Sequence, residues 1–423
     1  MSERAPFLST AYSAYHHRER PAEDEELTRV GPGAPCGEYL RRFWQPVILS
    51  SELGELPRRL RILGEDLVAF RDKGGAIGLL ELHCPHRGTS LEFGLIGDKG
   101  IRCCYHGWLF DCDGTILETP GEPADSTLKD RLFHGAYPVR EYNGLVFAYM
   151  GPPDRQPDFP ILDTYELPGY RQIARAPTLW ECNWLQVKEN SMDPAHLAFL
   201  HTLPGSEGFT DDFKELGEWD WMETPVGMVY IDTRRQDDRV WVRVADFLLP
   251  NIHQFPPNAD PMALRNSVNR PMATTWAVPL DDTHTMQIGY YRAPEGKPFR
   301  QGSGFGQDAS RSYEERQRVP GDYDAQVSIH GGVARHGLEH LAATDRGIIM
   351  MRNLIRRGIR AVRNGEVLGY PILKNGEALP TYSHDRVVSG IPPASTPEED
   401  RRLLREVARN VVARTVKAGS AEA

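Results

Sequence analysis

Two short stretches of this sequence stand out: residues 83–88 read HCPHRG, and residues 103–108 read CCYHGW. Within them, a Cys-x-His pair is followed by a Cys-x-x-His pair. The four possible metal ligands are Cys84, His86, Cys103 and His106. Each stretch offers one sulfur and one nitrogen, so the two together offer two thiolates and two imidazoles to a metal group.

Ligands of this kind suit a Rieske centre, in which two histidines replace two cysteines on one iron of a [2Fe-2S] cluster. A structural zinc is the alternative, although zinc sites usually take a cysteine pair from one loop and a histidine pair from another. Gly88 and Gly107 closely follow the candidate histidines, where the backbone must turn tightly and its amides can reach cluster sulfurs. Only Cys103 has two residues between itself and His106, so we expect Cys104 to be a small buried packing residue.

With these residues the sequence resembles the Rieske domain of Rieske non-haem iron aromatic-ring oxygenases, the terminal components that accept electrons and use dioxygen. Respiratory-chain Rieske proteins carry two further cysteines at places that read Thr89 and Tyr105 here. The resemblance therefore points to the oxygenase branch. It implies an α+β fold: an N-terminal all-β Rieske domain and a C-terminal helix-grip catalytic domain, with a central antiparallel sheet flanked by helices.

Composition and charge restrict the remaining classes. The chain has 423 residues, with 49 Lys and Arg against 59 Asp and Glu, a net charge of −10. This balance argues against nucleic acid or an anionic membrane as a partner. We find no signal-peptide pattern and no apolar run long enough to span a membrane, and we expect a cytoplasmic protein. Six cysteines in such a length do not make a disulfide framework.

The distribution of residue types along the sequence predicts two domains after an N-terminal arm. Residues 1–40 are polar and rich in Pro and Gly, and predict an arm with one short helix. Residues 41–155 contain short β-rich runs, with a hairpin signal at Asp113-Gly114. In residues 156–423 we expect strands at 226–236, 239–249, 274–280 and 284–293, and helices at 190–201, 335–363 and 398–417. A capping box, Thr396 to Glu399, marks the start of the last helix.

A second candidate metal site lies in ENSMDPAHLAFLH, residues 189–201. This segment resembles the mononuclear iron motif of the same oxygenases, which implies that His196 and His201 bind Fe(II) with a carboxylate. Five residues on an ideal helix would place the two rings roughly 140° apart, so the helix must distort or end near His201. Pro204-Gly205 supplies a stop signal.

Two neighbouring polar residues belong to the same motif. Asp193 precedes Pro194 and could be a simple helix N-cap. The resemblance implies instead that it bonds an iron-site histidine and a Rieske histidine of the neighbouring subunit, forming an electron bridge; both roles can coexist. Asn190 is expected near the iron, behind the ligands.

The third iron ligand must come from far along the chain. PGDYDAQVS, residues 320–328, offers Asp322 and Asp324, and we favour Asp322. A competing motif, His336-x-x-Glu339-His340, has the pattern of an inverted zinc-protease site on a helix. With two iron sites accounted for, we expect its histidines to be structural.

The resemblance also implies a reaction. Electrons from NADH would arrive through a separate reductase or ferredoxin, and dioxygen would be used beside a small aromatic acid. A head-to-tail homotrimer, or a doubled hexamer, would bring one subunit's cluster beside the next subunit's iron. In its overall sequence, the chain most resembles the phthalate-dioxygenase group. We favour O-demethylation of a methoxylated, lignin-derived aromatic acid such as dehydrodivanillate; ring hydroxylation or dihydroxylation of a phthalate-like acid is the alternative.

A different class also fits parts of the sequence: a Rieske electron carrier, or a zinc-stabilised module, without oxygenase activity. Substrate-binding residues are not evident from the sequence. Arg243 and His253 are candidates for a carboxylate anchor, although both equally suit the solvent face of a strand.

Overall fold

The computed structural model of the chain describes residues 8, 10–16, 21–203, 213–257, 270–298, 310–366 and 378–421. Small antiparallel sheets occupy the first part of the chain, and one large antiparallel sheet with surrounding helices occupies the rest. The α+β class predicted from the sequence is confirmed. None of the described helices combines the length and the apolar character that a membrane-spanning segment requires.

The first sheets are built from short strands that Gly, Asp and Lys interrupt, as the sequence predicted. They form three antiparallel sheets in the orders β1-β10-β9, β2-β3-β4 and β5-β6-β7-β8. Their bounds are β1 Gln45–Leu49, β2 Arg58–Ile62, β3 Glu65–Arg71, β4 Ile77–Glu81, β5 Leu95–Ile96, β6 Ile101–Arg102, β7 Leu109–Phe110, β8 Ile116–Glu118, β9 Val139–Tyr142 and β10 Leu145–Ala148. The predicted hairpin at Asp113-Gly114 is confirmed between β7 and β8, with Gly114 at φ +87°.

The large sheet has the order β11-β17-β16-β15-β14-β13-β12, and β18 adds to one end of β14. Its strands are β11 Tyr170–Trp180, β12 Glu218–Thr224, β13 Gly227–Gln236, β14 Arg239–Leu248, β15 Ile252–Phe255, β16 Ala273–Pro279, β17 Thr285–Pro294 and β18 His384–Ser389. The four strands predicted in this half are confirmed. β11, β12, β15 and β18 were not predicted.

The described helices include two in the N-terminal arm, where one was predicted, and one that packs against β8 of the first sheets. They are α1 Glu25–Thr28, α2 Pro35–Leu40, α3 Leu128–Arg131, α4 Trp184–Asn190, α5 Ala195–Phe199, α6 Tyr313–Arg318, α7 Asp322–Val327, α8 Arg346–Arg363 and α9 Pro397–Ala421. One half of the predicted capping box of α9 is found: the Thr396 hydroxyl accepts a hydrogen bond from the Glu399 amide at 3.3 Å.

One hydrophobic core joins the small β1-β10-β9 sheet to the large sheet. Phe147 of β10 contacts Trp276 of β16 edge to face, with ring centroids 5.6 Å apart, and also meets Tyr290 of β17. Such aromatic pairs contribute beyond their buried area. The shared core therefore fixes the first sheets against the sheet that carries the second candidate site.

The helix predicted at 335–363 is wrong in its first part, because α8 begins only at Arg346. Residues 336–338 form a single 3₁₀ turn, and Nδ1 of His336 accepts a hydrogen bond from the Asp24 amide at 3.0 Å. His340 is exposed. Because His336 and His340 do not share a helical face, the inverted zinc-protease geometry is not formed.

One arginine of α8 is buried, although the many basic residues of this helix are typical of an exposed face. Arg357, Arg360 and Arg363 are exposed, but Arg352 is buried. Its guanidinium donates to Glu189 at 2.6 Å and to both carboxylate oxygens of Glu339 at 2.6 and 2.9 Å. Two carboxylates around one arginine keep this buried charge paired.

Candidate metal centres

The two cysteine loops of the first sheets have the same backbone conformation. The Gly88 amide donates to the Cys84 carbonyl at 2.8 Å, and the Gly107 amide donates to the Cys103 carbonyl at 3.1 Å. Both glycines have positive φ, +79° and +75°, a conformation that glycine adopts without strain. The extra residue between cysteine and histidine in the second loop is therefore accommodated without changing the turn.

The side chains of these loops separate into a sulfur pair and a nitrogen pair. Cys84 and Cys103 are buried and lie in contact with each other. Burial, assisted by the neighbouring Cys103, raises the pKa of Cys84 to about 11. The backbone amides of His86 and Arg87 act in the opposite direction and lower this pKa. Two adjacent buried thiols that receive backbone amides match the environment of a metal-bound sulfur pair.

The nitrogen pair is formed by His86 and His106, whose ring centroids are 4.5 Å apart. His86 stacks on Trp108 with an interplanar angle of 4°. Within the described part of the chain, Nδ1 of His86 is buried and has no hydrogen-bond partner. A buried ring nitrogen without a partner is costly unless it binds a metal, so the donor set fits the cluster.

The separation of the two pairs bears on the zinc alternative. Around one tetrahedral zinc, ligand atoms lie within roughly 4 Å of one another. Among the described residues, the group whose ligand atoms lie close enough to hold one ion does not include Cys84, His86, Cys103 or His106. A two-iron cluster takes sulfurs on one iron and nitrogens on the other, which matches the separate sulfur and nitrogen pairs.

Cys104 is exposed, so the prediction of a buried packing residue is wrong. The reason is local: Cys103 turns its side chain into the core, and the next residue in this turn points outward. Tyr105 is also exposed, and its hydroxyl accepts from Arg87 at 3.3 Å. The two loops thus present a polar and aromatic tip around the histidine pair.

The second candidate centre begins where the predicted helix 190–201 is broken. α4 ends at Asn190, a turn follows, and α5 runs only over Ala195–Phe199. A continuous helix is therefore wrong, and the expected distortion is found: His196 lies in the first turn of α5 and His201 beyond its end. The predicted stop at Pro204-Gly205 lies outside the described residues.

Breaking the helix lets His196 and His201 approach one aspartate. Nε2 of His196 lies 3.7 Å from Oδ1 of Asp322, and Nε2 of His201 lies 3.3 Å from the same oxygen. Asp322 is the first residue of α7. Among the described residues, these three form the one group of His, Cys, Asp or Glu that could hold a metal ion by proximity. Two histidines and one carboxylate match the facial triad of non-haem Fe(II) oxygenases.

The residues predicted around this group lie beside it. The Asn190 side chain donates to Oδ1 of Asp322 at 3.2 Å. Arg352 holds the preceding residue, Glu189, and so fixes the end of α4. Burial alone would raise the pKa of Asp322, but the hydrogen bond from His201 and the charges of His201 and His196 lower it overall. The carboxyl group is thereby kept in the charged form that a metal needs.

Asp193 performs the capping role and also touches an iron-site histidine. Its Oδ1 accepts from the Ala195 amide at 2.8 Å, and its carbonyl oxygen accepts from Nδ1 of His196 at 2.5 Å. With Nδ1 bound in this way, His196 presents Nε2 to Asp322. The contact of Asp193 with a neighbouring subunit's Rieske histidine remains a prediction.

Asp324 was the alternative third ligand, but its carboxylate forms hydrogen bonds with other groups of the protein. It bonds Arg316 at 2.5 Å and Arg311 at 2.6 Å, and it accepts from the Gly321 amide at 3.0 Å. Its role is therefore to fix the start of α7, which carries Asp322.

We expect Asp322→Asn and Asp324→Asn to separate these roles. Asp322→Asn should lose the mononuclear iron and reduce turnover by at least about 100-fold, because a neutral amide is a poor ligand for Fe(II). Asp324→Asn should keep the iron and lower the free energy of unfolding by about 1–2 kcal/mol. Metal analysis and thermal unfolding measure the two effects; iron loss in Asp324→Asn alone would reverse the assignment.

A cavity of about 160 Å³ lies between this centre and the large sheet. The three possible iron ligands line it together with Arg175, Tyr230, Arg243, His253, Phe255, Thr275 and Tyr291. Arg243 is no solvent-facing anchor: it is buried and donates to Asp385 at 3.1 Å and to the carbonyls of Pro256 and Pro257. His253 faces the cavity. Arg175 was missed because β11 shows no clear alternation.

Comparison with known families identifies the first part of the chain. Residues 43–142 match the model of the Rieske [2Fe-2S] domain. This finding supports iron and sulfur, and not zinc, at the two cysteine loops.

Proteins of known function are similar over nearly the whole chain. The oxygenase subunit of tert-butanol monooxygenase / tert-amyl alcohol desaturase from Aquincola tertiaricarbonis is 42% identical, covering 98% of this chain and 94% of that protein. Phenoxybenzoate dioxygenase subunit alpha from Ectopseudomonas oleovorans is 37% identical, covering 86% and 92%. The oxygenase subunit of 5,5'-dehydrodivanillate O-demethylase from Sphingobium sp. (strain NBRC 103272 / SYK-6) is 34% identical, covering 87% and 88%.

A solved structure shares the fold at lower identity. Dicamba monooxygenase bound to dicamba superposes with a TM-score of 0.60 at 19% identity, covering 77% of this chain and 99% of that one. The shared fold thus includes the part of the chain beyond the cysteine loops.

Proposed function

The chain belongs to the Rieske non-haem iron oxygenases, as a terminal oxygenase component, and from this premise we propose that it oxidises an aromatic acid. The favoured reaction is O-demethylation of a methoxylated, lignin-derived acid. In this reaction a methoxyarene, O₂, NADH and H⁺ give the phenol, formaldehyde, water and NAD⁺. The family takes these electrons through a separate reductase or ferredoxin.

We assign the cofactors to residues as follows. Cys84, His86, Cys103 and His106 would hold the [2Fe-2S] cluster, and His196, His201 and Asp322 would hold Fe(II). When bound, the cluster supplies single electrons and the mononuclear iron supplies a site for dioxygen activation. Asn190 and Asp193 keep the iron ligands oriented through their hydrogen bonds to Asp322 and His196.

The observation that carries the choice of an acid is the charge of the cavity. Arg175 and His253 face the same space as the proposed iron ligands. Tyr230, Phe255 and Tyr291 add aromatic walls suited to a planar ring. A cation beside aromatic walls favours an aromatic carboxylate over a neutral aliphatic molecule.

Two other reactions have support from similar proteins. The protein from Aquincola tertiaricarbonis, at 42% identity, is named for tert-butanol and tert-amyl alcohol, so a tertiary alcohol is a second candidate substrate. The phenoxybenzoate dioxygenase supports ring oxidation of an aromatic acid. The charge of Arg175 in the cavity favours either acid over the alcohol.

A substrate panel tests the proposal. Holoenzyme, a reductase, NADH and dioxygen are incubated with methoxylated aromatic acids, unsubstituted aromatic acids and tert-butanol. We expect formaldehyde equal to NADH consumed with at least one methoxylated acid. Ring-hydroxylated product without formaldehyde would replace demethylation by ring oxidation, and turnover of tert-butanol alone would overturn the acid proposal.

We also propose that the chain works as a homotrimer or a doubled hexamer in the cytoplasm. The proposal follows the family resemblance and the role expected of Asp193 between subunits. Light scattering should give three or six times the chain mass of 47.7 kDa; a monomer that turns over at full rate would contradict it.

A further inference from the structure

Three residues that line the cavity, Arg175, Thr275 and His253, lie in one row across four strands of the large sheet, with Gly289 between Arg175 and Thr275. Arg175 of β11 pairs with Gly289 of β17, Gly289 with Thr275 of β16, and Thr275 with His253 of β15. Residues directly opposite one another on paired strands point to the same face. Three strand spacings separate the Cα atoms of Arg175 and His253 by roughly 14 Å.

The two residues in the middle of this row are small. Gly289 has no side chain, and a Cβ there would meet the Thr274 carbonyl oxygen at 2.1 Å, so a larger residue cannot occupy the position. Thr275 is short and lines the cavity. The row is therefore a trough, with one nitrogen-bearing side chain at each end.

At one end, the charge of Arg175 has no counter-ion among the described residues. Its guanidinium contacts only neutral groups there: the Thr178 hydroxyl at 3.4 Å and the face of the Tyr291 ring at 5.7 Å from its centroid. Arg243 lines the same cavity, but Asp385 neutralises it. Arg175 is thus the cavity arginine that can still pair with an anion through its planar fork.

At the other end, His253 is held from behind by a buried lysine. Nζ of Lys188 lies 2.7 Å from Nδ1 of His253, and Lys188 is 0% exposed. No carboxylate pairs with Lys188 within the described part of the chain. Burial, and then the charges of Lys188 and Arg175, lower the pKa of His253 well below its usual range, so the ring is neutral.

This contact selects one form of the ring. Burial also lowers the pKa of Lys188 well below its usual range, but the amine carries N–H groups in both of its forms; with Lys188 as the donor to Nδ1, the proton of the neutral imidazole lies on Nε2. His253 lines the cavity and Lys188 does not, so the group left for a ligand is an Nε2–H donor.

We propose that this trough is a two-point substrate subsite, in which Arg175 binds the carboxylate and His253, oriented by Lys188, donates a hydrogen bond to a second oxygen of the same molecule. The inference rests on the proposed function and names the residues that select its substrate class. An aromatic ring would lie over Gly289 and Thr275, between the two ends. Lys188 is a positioning residue, since it acts through His253.

The test compares equilibrium binding of an aromatic acid and of its carboxamide to the holoenzyme by calorimetry, without turnover. We expect Arg175→Met to weaken binding of the acid by about 10- to 100-fold and to leave the carboxamide unchanged, because only the acid uses the charge. Arg175→Lys should recover part of the loss. Arg171→Met is the matched control on the same strand, because Arg171 is exposed and does not line the cavity. This substitution should leave the binding of both ligands unchanged.

A double-mutant cycle tests the lysine. His253→Phe and Lys188→Met should each weaken binding of the acid by about 5- to 10-fold. The double variant should bind the acid no more weakly than His253→Phe alone. Methionine keeps much of the lysine volume and removes the buried amine, and thermal unfolding checks that each variant is folded. Additive losses would show that Lys188 does not act through His253.

The outcomes distinguish this subsite from the function on which it rests. Wild-type holoenzyme that binds no aromatic acid would contradict both. Wild-type enzyme that binds the acid, with Arg175→Met unchanged or weakened equally for acid and carboxamide, would overturn the subsite alone.

Discussion

His196→Ala is expected to reduce oxygenation by at least about 1000-fold while leaving the visible spectrum of the cluster intact. The iron content should fall from about three to about two atoms per chain, since only the mononuclear centre is affected. The reason is geometric: His196 and His201 both approach one oxygen of Asp322, at 3.7 and 3.3 Å, and alanine leaves two of three ligands. Metal analysis, absorption spectra and formaldehyde assays measure the three quantities.

The matched control for this variant is His340→Ala. His340 is exposed and belongs to the His-x-x-Glu-His pattern, whose histidines do not share a helix. It should change neither iron content nor turnover. If His196→Ala still oxidised substrate at the wild-type rate, the proposed mononuclear centre would be wrong.

Cys103→Ser is expected to abolish the cluster and all electron uptake from the reductase, whereas Cys104→Ser should keep both. The two cysteines are adjacent in sequence, but Cys103 is 3% exposed and contacts Cys84, while Cys104 points to solvent. A serine oxygen is a harder, more basic ligand than a thiolate and does not replace it well on iron and sulfur. Absorption spectra and electron paramagnetic resonance of the dithionite-reduced protein detect the cluster.

Loss of the cluster could also unfold the surrounding loops, so the Cys103→Ser protein needs a second measurement. Its mononuclear centre lies in the other half of the chain and should still bind one iron, and circular dichroism should still show the large sheet. A colourless Cys104→Ser protein beside a coloured Cys103→Ser protein would exchange the assignments of the two cysteines.

Much of both centres could be predicted because their decisive residues are close in sequence. The spacing of Cys84 and His86 already requires a tight turn, and Gly88 at φ +79° provides it. The same holds for the start of α9, where Thr396 and Glu399 are three residues apart. Interactions of this range depend on local backbone geometry, which the sequence specifies directly.

Local reasoning failed where a distant contact decided the conformation. The segment around His336 has a helical pattern, yet a hydrogen bond from Asp24, 312 residues away, and the pairing of Glu339 with Arg352 hold it in another form. In the same way, Arg352 lies in a basic segment typical of an exposed helix face, although its pairing with Glu189 keeps it buried. Tertiary contacts of this kind override propensity because leaving a buried charge unpaired would cost more than the local preference of a few residues.

By itself, the sequence predicted a sulfur and nitrogen donor set and a histidine pair on a helix that must distort or end near His201, and its resemblance to a known family implied an α+β fold. Only the tertiary structure decided that Asp322 and not Asp324 meets the histidines, and that Arg175 and His253 close the two ends of one trough. The physical reason is sequence distance. Asn190 and Asp322 are separated by 132 residues, and no local rule fixes strand register or helix placement over such a length.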